Sequence, residues 1–160
     1  MAEEKYLKQA QSVYKTLCKA LDDMGLKYEK NEEELSIESG AVGEDIPVDI
    51  RMMVNPNAKI VVFYSQMPFE IPEDKRVDMA LAVTMVNYLL VDGSFDYDFI
   101  NGRIVFRMTS SFIDSLIGDD LIQYMFYVSC KTVDDYNDKL SKIANGEMTL
   151  GELAELLTRD

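Results

Sequence analysis

The 160 residues of this chain include no histidine. That absence removes the commonest general base at neutral pH and the commonest transition-metal ligand, leaving carboxylates, Lys, Tyr, Ser and Cys for any catalysis. Cysteine is nearly absent too: Cys18 and Cys130 lie far apart and match no metal or redox spacing. Both sit among apolar helical neighbours, where an inert buried thiol is the simple expectation. No G-x-S-x-G, phosphate-binding glycine loop or dinucleotide fingerprint occurs, and the eight glycines are scattered at turns and helix ends. Basic clusters are missing. With 16 Lys+Arg against 29 Asp+Glu the formal charge is -13, which repels polyanions and excludes a nucleic-acid partner. Long apolar runs are missing as well. The longest, Met79–Val91, holds 13 residues including Thr84 and Asn87. A membrane span needs about 20. The charged opening "MAEEKYLKQAQ" has no apolar core of a signal peptide, so a reducing, cytoplasmic location is expected.

What is present is an ordinary globular composition, 48% apolar and 28% charged, in a length suited to one domain covering 1–160. Leu7, Ala10, Tyr14, Leu17, Leu21 and Met24 recur at helical spacing and stop at Gly25. Leu26 and Tyr28, then Leu35 and Ile37, alternate around an acidic turn and predict a first hairpin. Ile46, Val48, Ile50, Met52 and Val54 predict a strand with one apolar face, and Asn55-Pro56-Asn57 turns it into the apolar run "AKIVVFYSQM". Pro72 at the first position, followed by acids, opens a second helix. A third runs from about Asp119 to Ala144. Thr149 and Glu152 form the capping box of a fourth, with Met148 and Leu153 at the staple positions. The order α-ββ-ββ-α-ββ-α-α predicts an α+β fold, with an antiparallel sheet of about five to six strands and flanking helices.

The stretch "FDYDFINGRIVFR" (95–107) alternates aspartates with aromatics before Asn-Gly. As a calcium loop starting at Asp96 it fails at Ile100, Asn101 and Arg107, where an acid, a glycine and a glutamate are required. Asn101-Gly102 is instead a strong signal for a two-residue hairpin turn. That turn pairs Asp96 with Arg107 and gathers Phe95, Tyr97, Phe99, Ile104, Phe106 and Met108 on one face. Neighbouring acids elsewhere read as a solvated turn (Glu32-Glu33-Glu34) or a favourable helix start (Asp119-Asp120). No catalytic residue, metal site or cofactor is expected.

Binding has better support. In the second helix Met79, Val83, Val86 and Leu90 form an apolar row flanked by Ala82, Met85 and Leu89, and only the strip Ala80, Thr84, Asn87 is small or polar. A helix apolar around most of its girth must be covered around most of its girth, by other helices or by a second copy. Ten methionines add adaptable side chains. Met53, Phe63 and Met67 either fill the core or line an exposed apolar groove.

The Asn-bearing helix "MVNYLL", the hairpin "GSFDYDFINGRIVFR" and the helix end "DDYNDKLSKIANGEMTLGEL" together resemble the YbjN-like family of small bacterial proteins, sometimes labelled sensory-transduction regulators. The similarity is one of pattern over roughly residues 6–146. That family shares its fold with the dimeric chaperones of type III secretion. The resemblance implies an antiparallel α+β domain, protein binding rather than catalysis, and a homodimer, and it carries over no catalytic residue. The expected function is a non-enzymatic protein-interaction domain, chaperone-like or regulatory, with Met79, Val83, Val86, Leu90, Met53, Phe63 and Met67 as the candidate dimer or partner surface. The alternative is a small-ligand binder or carboxylate-based enzyme with a pocket between sheet and helices.

Overall fold

The computed structural model describes residues 2–158. Helix α1 (Ala2–Asp23) leads into strands β1 (Glu29–Asn31), β2 (Ser36–Ala41), β3 (Val48–Asn55) and β4 (Ile60–Gln66). A single 3-10 turn (Glu73–Lys75) precedes α2 (Arg76–Leu89), followed by β5 (Ser94–Asp98), β6 (Arg103–Ser111), α3 (Asp119–Asn145) and α4 (Leu150–Leu157). The strands form one antiparallel sheet in the order β1-β2-β3-β4-β6-β5. This is the expected α+β arrangement with six strands.

Helix ends follow their local chemistry. Gly25 takes a left-handed φ of 69°, its N–H donates to the Asp22 carbonyl, and the Leu26 N–H reaches back to Leu21. Gly146 repeats the device at the end of α3, with φ 74° and bonds from Gly146 to Ile143 and Glu147 to Lys142. These are Schellman ends, which satisfy carbonyls the helix leaves free. Pro72, expected at the first position of the second helix, lies four residues before it. It precedes the 3-10 turn, so α2 begins only at Arg76. The predicted capping box is present: Glu152 N–H donates to Thr149 Oγ1 at 3.2 Å, and the Thr149 N–H donates to Glu152 Oε2 at 2.8 Å. Hydrogen bonds from the Thr149 backbone and hydroxyl hold the Glu152 carboxyl below its ordinary pKa. Its contribution is therefore fully present above the unfolded-state value and is lost as the pH falls through the folded one. Thr149→Ala is expected to cost about 1 kcal/mol in denaturant unfolding, and acidification should shrink the gap between variant and wild type.

Strand register differs from expectation in the last hairpin. Asp98 pairs with Arg103, Tyr97 with Ile104, Phe95 with Phe106 and Ser94 with Arg107. The loop therefore holds Phe99, Ile100, Asn101 and Gly102, not Asn-Gly alone. The cause is Asp98, whose Oδ1 accepts from the backbone N–H of Ile100 and Asn101 while its carbonyl accepts from Gly102. Aspartate at the start of such a loop competes successfully with a tighter turn. A shift of two residues preserves the facing of every side chain. Phe95, Tyr97, Ile104, Phe106 and Met108 still point one way, while Phe99 moves into the loop and is half exposed. Arg107 still grips Asp96, now diagonally, with Nε at 2.5 Å and Nη2 at 3.2 Å. Gly102 has no substitute here, because a Cβ would meet the Ile71 carbonyl at 2.5 Å.

Helices α1 and α3 lie on one sheet face, with α2 packed against α3 and β5 and α4 packed against α2. Ile37, Val48, Ile50, Met52, Val54, Val61, Phe63, Ile104, Phe106 and Met108 carry the apolar side of the sheet into the core. Above them pack Leu17 and Leu21 of α1, Met79, Val83 and Val86 of α2, and Ile122, Met125, Phe126 and Leu140 of α3. The opposite sheet face carries no helix and is largely open to solvent, with Val62 covered by its neighbours, an arrangement that antiparallel sheets tolerate.

Candidate interaction surfaces

Three places are available for a partner: the sheet edges, the open sheet face and the outside of α2. The edges are closed. Strand β1 is three residues long, Glu-Lys-Asn, a short polar edge of the kind that discourages further pairing. At the other end α2 lies along β5, and the Asn87 amide bonds both backbone groups of Phe95: Nδ2 donates to its carbonyl at 2.9 Å and Oδ1 accepts from its N–H at 2.8 Å. A side-chain amide here replaces the missing neighbouring strand.

The open face is polar and concave. Residues paired directly across the sheet give the row Glu29, Glu38, Arg51, Tyr64, Arg107 and Ser94. All but Ser94 line a broad depression of about 1340 Å³ that also takes in Asp49, Gln66, Asp98 and Arg103. Its arginines are engaged from within the chain: Arg51 with Glu34 at 3.0 Å, Arg107 with Asp96. Asp98 is held below the usual carboxylate range by the Asn101 amide and backbone, which keeps it ionised and unsuited to donating a proton. The depression lies on the solvent side of the sheet rather than between sheet and helices.

The outside of α2 is apolar. Val77 is 63%, Leu81 50% and Tyr88 87% exposed. With exposed Thr84 between them these residues fall at intervals of four, three and four, a heptad spacing that keeps them on one row. Leu89 and Val91 border the row and are also exposed.

The candidate residues named from sequence divide differently. Met79, Val83 and Val86 are buried in the core, and Leu90 packs partly against it. That row is the inward seam of α2, and the outward seam lies two residues away. Phe63 and Met67 are core residues, 0% and 2% exposed. Phe63 pairs with Met52 on the helix side of the sheet, whereas Met53 pairs with Val62 on the open side. The three therefore do not line a common groove, and alternation along β3 and β4 is the reason. Sequence did carry a signal for the outward seam, the same 4-3-4 spacing offset by two. What sets that row apart in the sequence is Thr84, its one polar member.

Chemistry is correspondingly sparse. No group of three His, Cys, Asp or Glu able to hold a metal occurs among the described residues. Burial raises the Cys130 thiol to about 11 and pushes Cys18 up as well, which disfavours the nucleophilic thiolate. Acid neighbours are otherwise employed: Asp134 accepts from the Glu44 N–H at 2.9 Å and ties down the β2–β3 loop. No helix among the described residues is long and apolar enough to cross a membrane.

No family model matches the chain, and no curated protein matches its sequence. Solved structures do match. The ExsC–ExsE complex aligns with 83% of this chain and 93% of its own matching chain, at 12% identity and a TM-score of 0.47. YbjN from E. coli, described as a proposed transcription regulator, aligns with 82% of this chain and 92% of its own, at 14% identity and a TM-score of 0.58. The α+β fold of this chain is thus YbjN-like.

Proposed function

We propose that this chain is a non-enzymatic protein-interaction domain, chaperone-like or regulatory, that works in the cytoplasm as a homodimer by covering apolar surface on itself and on partner segments. The observation that carries this reading is the outward row Val77, Leu81, Thr84 and Tyr88, apolar except for Thr84 and exposed on a helix already seated on its core by the opposite side. An amphipathic helix needs one apolar face; a second, solvent-facing one is a binding feature. Closed sheet edges argue against partners that add a strand. The acidic charge of -13 favours partners whose segments are basic or amphipathic. An enzyme or small-ligand role lacks its expected pocket between sheet and helices, because the large depression lies on the opposite face and is open.

The test compares wild type with Leu81→Glu, a change at a half-exposed position that leaves the core untouched. Expected results are a paired wild type by sedimentation, and protein partners retained on the immobilised wild type but reduced at least about tenfold on the variant. If the variant matches wild type in both assays, the row is not used and the reading fails.

A further inference from the structure

We infer that the core-facing side of α3 is a binding site for an internal water molecule, held by the side-chain amide of Asn137. Asn137 is 1% exposed, and neither its Oδ1 nor its Nδ2 has a hydrogen-bond partner among the described residues. Val133 and Leu140, one turn before and after it, are apolar and buried, as is Ala144 beyond them. Two unpaired amide ends in a dry core would disfavour folding by roughly a hundredfold or more. Ser129, two turns earlier and 0% exposed, also has an unpartnered hydroxyl. A serine Oγ can rotate onto a carbonyl of its own helix, but an amide must satisfy two ends at once.

Asn87 shows the other remedy this chain uses, since its amide bonds both free backbone groups of Phe95 on an outer strand. Asn137 has no such edge to bond. Helix α3 packs over β3, β4 and β6, interior strands whose backbone groups pair within the sheet. Water suits the site because it both donates and accepts. One molecule closes a ring with the amide, donating to Oδ1 while accepting from Nδ2. Its second proton goes to the spare lone pair of a helix carbonyl. Buried waters serve such groups about once per 27 residues, so a core of this size ordinarily holds several.

Magnetic relaxation dispersion of the solvent oxygen nucleus counts long-lived internal waters without interference from exchanging hydroxyl protons. Asn137→Leu keeps the side-chain size and removes both polar ends. It should lower the count by about one relative to wild type. Its folding equilibrium constant should gain no more than about tenfold, because a hydrated amide is already satisfied. Equal water counts in the two folded proteins would overturn the site. A larger gain in stability would overturn it too, as the mark of an amide that had been dry. If Asn137→Leu fails to fold, cross-relaxation from water to the Asn137 side-chain protons of the wild type decides. Cross-peaks of the sign given by a slowly exchanging bound water support the site, and their absence rejects it.

Discussion

Phe63→Ala is expected to lower the free energy of unfolding by about 3–5 kcal/mol, the usual cost of emptying a fully buried phenylalanine site. Phe63 is 0% exposed, pairs with Met52 on one side and Met108 on the other, and all three belong to the core. The lost ring removes both transfer energy and the packing of its neighbours, which a rigid central strand cannot collapse to recover. Tyr64→Ala, one residue later on the open face, should change stability by no more than about 1 kcal/mol. Urea unfolding of the two variants reads the difference directly. Equal losses would mean that β4 is covered on both faces, contrary to the layering described.

Asn87→Ala should cost about 2–3 kcal/mol, far more than a partly exposed helical Asn ordinarily does. Its amide makes two hydrogen bonds to Phe95, at 2.9 and 2.8 Å, and both partners are backbone groups on the outer edge of β5. Truncation leaves a donor and an acceptor without a partner beneath α2, and each incurs its own desolvation penalty. Asn87→Asp is the informative companion: its carboxylate still accepts from the Phe95 N–H but cannot donate to the carbonyl, so part of the loss should return. Amide exchange at Phe95 reports the same event, faster in Ala than in Asp. A neutral Asn87→Ala would remove the claim that this side chain substitutes for a strand. The loss also exposes β5 to pairing with other chains, so the Ala variant should aggregate more readily on heating.

The order of elements was legible because periodicity changes cleanly along the chain. Residues 48–54 alternate and form a strand, while Thr149 and Glu152 announce a helix start by side-chain chemistry alone. The absence of histidine, of a basic cluster and of a long apolar run depends on composition and needs no coordinates. Three matters were not legible. Ile60–Phe63 is apolar without alternation, so only pairing with β3 and β6 decides that Phe63 faces the helices while Val62, equally buried, faces the other way between Met53 and Thr109. In the 95–107 hairpin, Asn101-Gly102 and Asp98 each offer the backbone a satisfactory turn, and Asp98 makes the bonds that set the four-residue loop.

Helix α2 is the decisive case. Its two rows, Met79-Val83-Val86-Leu90 and Val77-Leu81-Thr84-Tyr88, have identical spacing and differ in polarity only at Thr84, so spacing alone does not separate them. Sequence by itself determined that this helix is apolar around most of its girth. Only the tertiary structure decided which row meets the sheet and α3, because burial is a property of what lies opposite, and what lies opposite is brought there by residues distant in the chain.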